Sequence, residues 1–222
     1  MGAFSGVKSC FNKPLAEVAQ SLHYDESNIV ILEGDEIRLR EEFPQVYNDL
    51  LSCRHHADGR TPLQYGQDLV ASWLFEDMFL WAFKKTEKLT INLDGADKKR
   101  IILPSAKTSA ASDYLVSTAH GSSRKLELMC DYKDFWSNNG KLHLRDEKYT
   151  KMKASQSILI AVSVTLKKFA IFDFARSIPA KFLTSHRPYG GKPVYEMDIN
   201  PESMIAYTSN NLINEIEKAM GV

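Results

Sequence analysis

This chain of 222 residues has few cysteines, no net charge and no long apolar runs. Its three cysteines, Cys10, Cys53 and Cys130, form no CxxC pair. That pattern excludes a disulfide framework and favours a reducing, cytoplasmic location. No apolar run approaches the roughly 18 residues of a membrane span, so no membrane partner is predicted. The first residues also lack the apolar core of a secretory signal.

The formal net charge is zero, with 28 basic and 28 acidic residues, which by itself gives no sign of a nucleic-acid partner. The distribution along the chain is uneven. Residues 1–83 carry 6 Lys and Arg against 13 Asp and Glu, whereas residues 84–176 carry 18 against 10. Binding to a phosphate backbone needs a local positive field rather than a high overall charge. The middle of the chain is therefore the predicted surface for binding a phosphate backbone.

The most informative stretch, residues 112–133, is SDYLVSTAHGSSRKLELMCDYK. Its β-branched and alternating segments predict two strands joined by a turn at HGSS. Asp113 stands at the head of the first strand, and Asp131 and Lys133 stand at the tail of the second. With a side-chain period of two, Asp131 and Lys133 project from one face. We expect the hairpin to bring Asp113 close to Asp131.

Two adjacent carboxylates repel each other unless a cation lies between them, and oxygen ligands suit Mg²⁺, with Mn²⁺ as an alternative. We expect Asp113, Asp131 and the backbone carbonyl of Tyr132 to bind this ion. Lys133 would stabilise the attacking hydroxide or the charge of the transition state.

The spacing of Asp113 and Asp131-Tyr132-Lys133 resembles the motif of the PD-(D/E)XK nuclease superfamily, in which an Asp is followed by a gap and then by Asp-x-Lys. Ser112-Asp113 stands where that motif has Pro-Asp. The resemblance covers roughly residues 64–175. It implies an α/β fold with a restriction-endonuclease-like core, in which a central mixed sheet is flanked by helices. It also implies an acidic residue on the helix before the motif. Residues 64–85 predict such a helix, largely buried, and Glu76 is the expected metal ligand, with Asp77 as the substitute.

The predicted organisation is an N-terminal helical elaboration over residues 1–62 and a nuclease core over residues 63–222, both in one domain. Further strands are predicted at 28–34, 88–104, 158–164 and 168–174, and a C-terminal helix at 201–220. That last helix closes the domain or pairs with a second subunit.

Two segments supply the predicted DNA contacts. A short basic helix over residues 146–156 offers lysines to phosphates, and a Gly/Pro-rich loop over residues 184–197 offers side chains to base edges. The contacts assigned to them are Lys148, Lys151, Lys153, Arg187, Tyr189 and Lys192.

The sequence thus predicts a Mg²⁺-dependent endonuclease for double-stranded DNA, most like a site-specific type II restriction enzyme acting as a homodimer. Two alternatives stay open. One is a structure-specific phage or repair nuclease or resolvase, and the other is a non-catalytic DNA- or protein-binding domain.

Overall fold

The computed structural model describes residues 12–24, 37, 40–41, 44–52, 72–73, 75–84, 86–95 and 112–222. They belong to two compact units, one comprising Met1–Trp81 and Asp94–Ala111 and the other Ala82–Leu93 and Ser112–Val222. The predicted boundary near residue 62 lies outside the described residues and stays a prediction. No helix within the described ranges is long and apolar enough to span a bilayer.

The first unit contains α1 (Asn12–Leu22), α2 (Pro44–Ser52) and most of α3 (residues 75–82). Ala82, the last residue of α3, is the first residue of the second unit. α1 buries Val18, Ala19 and Leu22, whose spacing places them on one helical face. The predicted helix over 64–85 is confirmed at residues 72–73 and 75–82, and most of its described apolar side chains are buried. The predicted strand at 28–34 lies outside the described residues.

The second unit is built on a mixed sheet of six strands in the order β1-β2-β3-β5-β6-β9. β3 and β5 run parallel, and the other neighbours are antiparallel. The chain is therefore mixed α/β with a mixed central sheet. The strands are β1 (Leu89–Leu93), β2 (Tyr114–Thr118), β3 (Ser123–Asp131), β4 (Lys141–Arg145), β5 (Ile158–Ser163), β6 (Lys168–Asp173), β7 (Lys181–His186), β8 (Lys192–Asp198) and β9 (Ile205–Ala206).

The parallel pair forms because a long connection separates β3 from β5. This crossover carries α4 (Phe135–Asn139), β4 and α5 (Asp146–Ala154). All six residues of β5 are buried, as expected for an unbroken apolar run covered on both faces. The predicted strands at 158–164 and 168–174 are confirmed as β5 and β6.

A second, three-stranded antiparallel sheet has the order β4-β8-β7. α5 connects it to the central sheet: the Tyr149 ring stacks on that of Tyr195 in β8 at 3.9 Å between centroids, and meets Phe174 edge-on at 5.4 Å. The core around these rings also contains Trp136, Leu142, Leu144, Met152, Leu159, Ala161, Met197, Ile199 and Met204. The core thus fixes α5 against both sheets.

Two predicted elements differ from the observed ones. The segment 184–197 is not a loop: it contains the end of β7, a 3-10 turn at Arg187–Tyr189 and most of β8. Pairing with β4, which short-range patterns do not reveal, stabilises β8. The C-terminal helix α6 (Ser209–Met220) begins later than residue 201, because Ile205–Ala206 pairs with β6 first. The Thr208 side chain then caps α6 by accepting a hydrogen bond from Asn211 N.

Arg124 links three parts of the second unit. Its guanidinium donates to the carbonyl oxygens of Gln156 (Nε, 2.9 Å) and Ala219 (Nη1, 2.8 Å) and forms an ion pair with Asp173. Although burial alone raises the pKa of Asp173, the hydrogen bonds and positive charge around it bring that pKa below its ordinary value. The cluster therefore joins β3, β6 and the end of α6.

We expect Arg124→Ala to lower the free energy of unfolding by about 3 kcal/mol, because it removes the ion pair with Asp173 and the donor to two carbonyl oxygens. Urea denaturation followed by circular dichroism measures this change. Lys125→Ala, at the exposed neighbouring position, is the control and should stay within about 0.5 kcal/mol of wild type. Equal midpoints for the two variants would contradict the structural role of Arg124.

Candidate functional site

The register of the β2–β3 hairpin decides which acidic residues meet. Thr118 N donates to Ser122 O at 2.9 Å across the turn, and Ser117 pairs with Ser123. Continuing this register, Tyr114 pairs with Leu126. One residue further, Asp113 therefore lies opposite Glu127, with about 5 Å between their α carbons as in any antiparallel pair.

Asp131 lies four residues beyond Glu127 on β3, which is about 13 Å along the strand. The structure therefore does not bring Asp113 and Asp131 together, although we predicted that the hairpin would. A tight turn fixes the register, and a pairing of Asp113 with Asp131 would need a longer connection than this turn provides.

The Asp131 carboxylate is buried, at 6% exposure, and accepts backbone hydrogen bonds. Oδ1 accepts from Lys133 N at 3.0 Å, and Oδ2 accepts from Trp136 N at 2.6 Å. These amide groups lie in the turn before α4 and in its first turn, where backbone N–H groups have no partner within the helix. Asp131 thus orders the connection from β3 into α4. Lys133 is exposed and Tyr132 is half-buried.

Asp113 and Glu127 form a different acidic pair. Asp113 Oδ2 accepts a hydrogen bond from Leu128 N at 2.8 Å. Asp113 directly precedes β2, so this bond extends the hydrogen bonding between β2 and β3 by one position. Glu127 is only 9% exposed and forms an ion pair with Lys148 of α5. A buried carboxylate needs such a partner, since desolvating an uncompensated charge is expensive. Two carboxylates and one ammonium group are therefore neighbours at the head of the hairpin.

Alternation along β3 and the crossover together explain how Lys148 reaches Glu127. Glu127 shares a face of β3 with Met129, and Met129 packs against the core that contains Tyr149 and Met152 of α5. α5 therefore lies over this face, and Lys148 precedes the buried Tyr149. Sequence reasoning missed Glu127 because the residue two positions later is Met129 rather than lysine.

The predicted helix carboxylates differ in exposure. Glu76 is buried and Asp77 is exposed, and both belong to the first unit. Of the two, Glu76 is the one whose carboxylate is withdrawn from water. Its assignment as a metal ligand stays a prediction.

The predicted DNA contacts occupy two neighbouring elements. Lys151 and Lys153 are exposed on α5, and Arg187 and Lys192 are exposed around the turn between β7 and β8. Tyr189 is half-buried, and its hydroxyl donates to the carbonyl oxygen of His143 at 3.2 Å. Tyr189 thus helps to hold the turn.

Two positive charges lie near the Tyr189 hydroxyl. Burial raises the pKa of Tyr189, and the charges of Lys148 and Arg145 offset part of this rise. Lys148 therefore lies close enough to both Glu127 and Tyr189 to influence each of them. Lys148 thus lies between the acidic pair and the β7–β8 turn.

Asp113 and Glu127 are two carboxylates that the register of the hairpin sets opposite each other. The described residues contain no group of three or more His, Cys, Asp and Glu side chains suited to this purpose. Magnesium often needs only one or two carboxylates, with water and substrate phosphate oxygens completing its shell. Comparisons of this chain with protein-family models, with curated proteins and with solved structures found no match.

Proposed function

We propose that this chain is a Mg²⁺-dependent DNA endonuclease whose site is formed by Asp113, Glu127 and Lys148. The observation that carries the proposal is the ion pair between Glu127 and Lys148 next to Asp113. The site therefore differs from the predicted Asp131-Tyr132-Lys133 set. We assign Asp131 to the structural connection described above, because backbone donors occupy both of its carboxylate oxygens.

The order of elements supports the same proposal. A helix, three antiparallel strands, a crossover with a helix and a parallel fourth strand follow one another as α3, β1, β2, β3, α5 and β5. The resemblance to PD-(D/E)XK nucleases implies a helix before the motif strands and a mixed central sheet flanked by helices, and this order agrees with that expectation. In that motif the lysine follows the second acidic residue by two positions. Here Met129 occupies that position, and α5 brings an ammonium group to the same carboxylate.

The two carboxylates fit magnesium, because they are hard oxygen donors that lie side by side in the register of the hairpin. When bound, Mg²⁺ would lower the pKa of its water and polarise the scissile phosphate. Asp113 and Glu127 would hold the ion. Lys148 would orient the attacking water or compensate negative charge on the phosphate, while the covering helix limits access of bulk water.

The basic side chains of α5 and of the β7–β8 turn would contact the DNA backbone on either side of this site. Lys151, Lys153, Arg187 and Lys192 are exposed and suited to phosphate contacts. The finer assignment, a site-specific type II restriction enzyme acting as a homodimer in the cytoplasm, is part of the proposal. The enzyme class and the homodimer rest on the sequence resemblance, and the cytoplasmic location rests on the cysteine pattern.

One observation favours a second candidate, a DNA-binding domain without catalysis. Both carboxylates already have partners within the chain, since Asp113 accepts from Leu128 N and Glu127 pairs with Lys148. A metal ion must compete with Lys148 for Glu127. If it cannot, the same basic surface would bind DNA without cutting it.

Incubation with supercoiled plasmid in Mg²⁺, in Ca²⁺ and in EDTA separates the two candidates. We expect cutting in Mg²⁺ that EDTA abolishes, with DNA binding retained in Ca²⁺. Discrete fragments indicate a site-specific enzyme, and a smear indicates a non-specific one. Binding without cutting in Mg²⁺ or Mn²⁺ supports the non-catalytic domain, and an absence of both binding and cutting contradicts the proposal altogether.

A further inference from the structure

Two histidine rings stack on the small sheet, away from the acidic pair. His143 of β4 and His186 at the end of β7 lie 4.1 Å apart between ring centroids, with 30° between their planes. His143 is only 8% exposed. The Nδ1 atoms of both rings are buried and have no hydrogen-bond partner among the described residues. Such unsatisfied buried groups are unusual and call for a physical explanation.

One carboxylate lies close to these rings, and a lysine shares it with them. His143 Nε2 contacts Glu196 Oε2 of β8 at 3.1 Å, but Lys141 of β4 shares the same carboxylate at 3.8 Å. The Tyr189 ring lies 5.4 Å from that of His186, and Lys148 and Arg145 add positive charge near the Tyr189 hydroxyl. The ring of Phe135 in α4 approaches His143 at 6.0 Å and contributes no acceptor.

Protonation of His186 is therefore unfavourable in this arrangement. An imidazolium ion donates from both nitrogens, so a proton on Nδ1 would be a buried donor without an acceptor. Two charged rings at this distance would also repel each other. In agreement, burial lowers the pKa of His186 from its ordinary value of 6.5, and His143 lowers it further, although Glu196 acts in the opposite direction.

The segment that carries His186 lies at an edge of the small sheet. Among the strands that the structure describes, β7 pairs only with β8, and this pairing is irregular between Leu183 and His186. The 3-10 turn follows, and then Gly190 and Gly191 with φ of 65° and 78°, a conformation that glycine adopts readily. The ring stack and the Tyr189–His143 hydrogen bond join this segment to β4. Edge segments with irregular pairing open at a lower free-energy cost than core strands.

We propose that the His143–His186 stack is a pH-sensitive contact that holds residues 184–191 against β4 while the His186 ring is neutral and releases them when that ring is protonated. The folded state favours the neutral ring, so the stabilisation is complete above pH 6.5. It is lost as the pH falls below 6.5, because the released segment takes up the proton first. Arg187 and Lys192 flank the stack, so release is also expected to weaken DNA binding; this last step rests on the proposed function.

Amide hydrogen exchange between pH 5 and pH 8, corrected for the intrinsic rate, tests the proposal. We expect protection of peptides covering 184–191 to fall below pH 6.5 while that of β5 stays constant. At low pH the equilibrium constant for opening of the segment should rise. The rise should be about tenfold for each pH unit by which the pKa of His186 in the released segment exceeds its pKa in the closed segment. His186→Phe keeps an aromatic ring but cannot take a proton, so its protection should not vary with pH. His120→Gln, which alters an exposed histidine on the β2–β3 turn, should behave like wild type.

Constant protection of 184–191 in wild type, or an equal acid-induced loss in His186→Phe, would overturn the proposal. If His186→Phe lacks protection at pH 8, the wild-type protein still decides the question through NMR titration of its histidine rings. We expect His186 to titrate below pH 6.5 and the Tyr189 signals to shift with the same midpoint. A His186 midpoint at or above 6.5 would contradict the proposal. These readouts do not involve DNA, so they can fail or succeed independently of the nuclease activity.

Discussion

Replacing Glu127 with glutamine is expected to reduce Mg²⁺-dependent DNA cleavage by more than about 100-fold while the protein stays folded. Loss of a group that only supports a metal ligand typically costs about 10- to 100-fold, so loss of a ligand itself should cost more. Glutamine preserves the size of the side chain but removes the charge that pairs with Lys148 and that would bind the proposed ion. Initial rates of plasmid cleavage at saturating Mg²⁺ measure the effect.

Glu147→Gln is the matched control, because it makes the same chemical change at an exposed position of α5, next to Lys148. We expect it to cleave at nearly the wild-type rate. Lys148→Met should reduce the rate in the same direction as Glu127→Gln, and DNA binding in Ca²⁺ should persist in both. Normal cleavage by Glu127→Gln would show that Glu127 is not part of the catalytic site. An equal loss in Glu147→Gln would show that the effect is not specific to the acidic pair.

Asp131→Ala is expected to lower the free energy of unfolding by about 3 kcal/mol. The variant removes a helix-capping carboxylate and leaves the N–H groups of Lys133 and Trp136 without their acceptor, each at a cost of about 1–3 kcal/mol. Trp136 is buried at the start of α4, so its amide cannot simply turn to water. Urea denaturation monitored by tryptophan fluorescence gives the change in midpoint.

The same variant distinguishes the two possible roles of Asp131. Cleavage per folded molecule should remain close to wild type at a temperature where the variant is fully folded. Glu202→Gln, at an exposed position, serves as the stability control and should change the free energy of unfolding by less than about 0.5 kcal/mol. If the variant is as stable as wild type but inactive, Asp131 is a residue of the proposed metal site rather than a structural one.

Local patterns predicted most of the central sheet correctly. The β-branched run of β2 and the apolar runs of β5 and β6 predicted these strands. The basic helix predicted over 146–156 is observed as Asp146–Ala154. The small sheet was not predicted. Its strands are short and pair over long sequence separations, as β4 does with β8, so no local pattern indicates which segments are neighbours.

The partner of Asp113 could have been predicted by counting from the turn. Gly121 N donates to Thr118 O within that turn, so the strand arms must leave from Ser117 and Ser123. Equal steps along the two arms lead from Asp113 to Glu127, not to Asp131. The contribution of Lys148 could not be obtained in this way, because it depends on how the crossover positions α5 over β3.

The crossover also determines the order in which the chain can assemble. β4 leaves the ribosome well before β8, its only partner that the structure describes, and β7 emerges before β8 as well. Neither strand can complete its ladder until β8 has been synthesised, and non-local pairing of this kind forms slowly. The nascent chain therefore exposes two unpaired strands while β2, β3 and β5 can already associate. Chaperones that shield exposed strand edges should accordingly have their greatest effect on this protein late in translation.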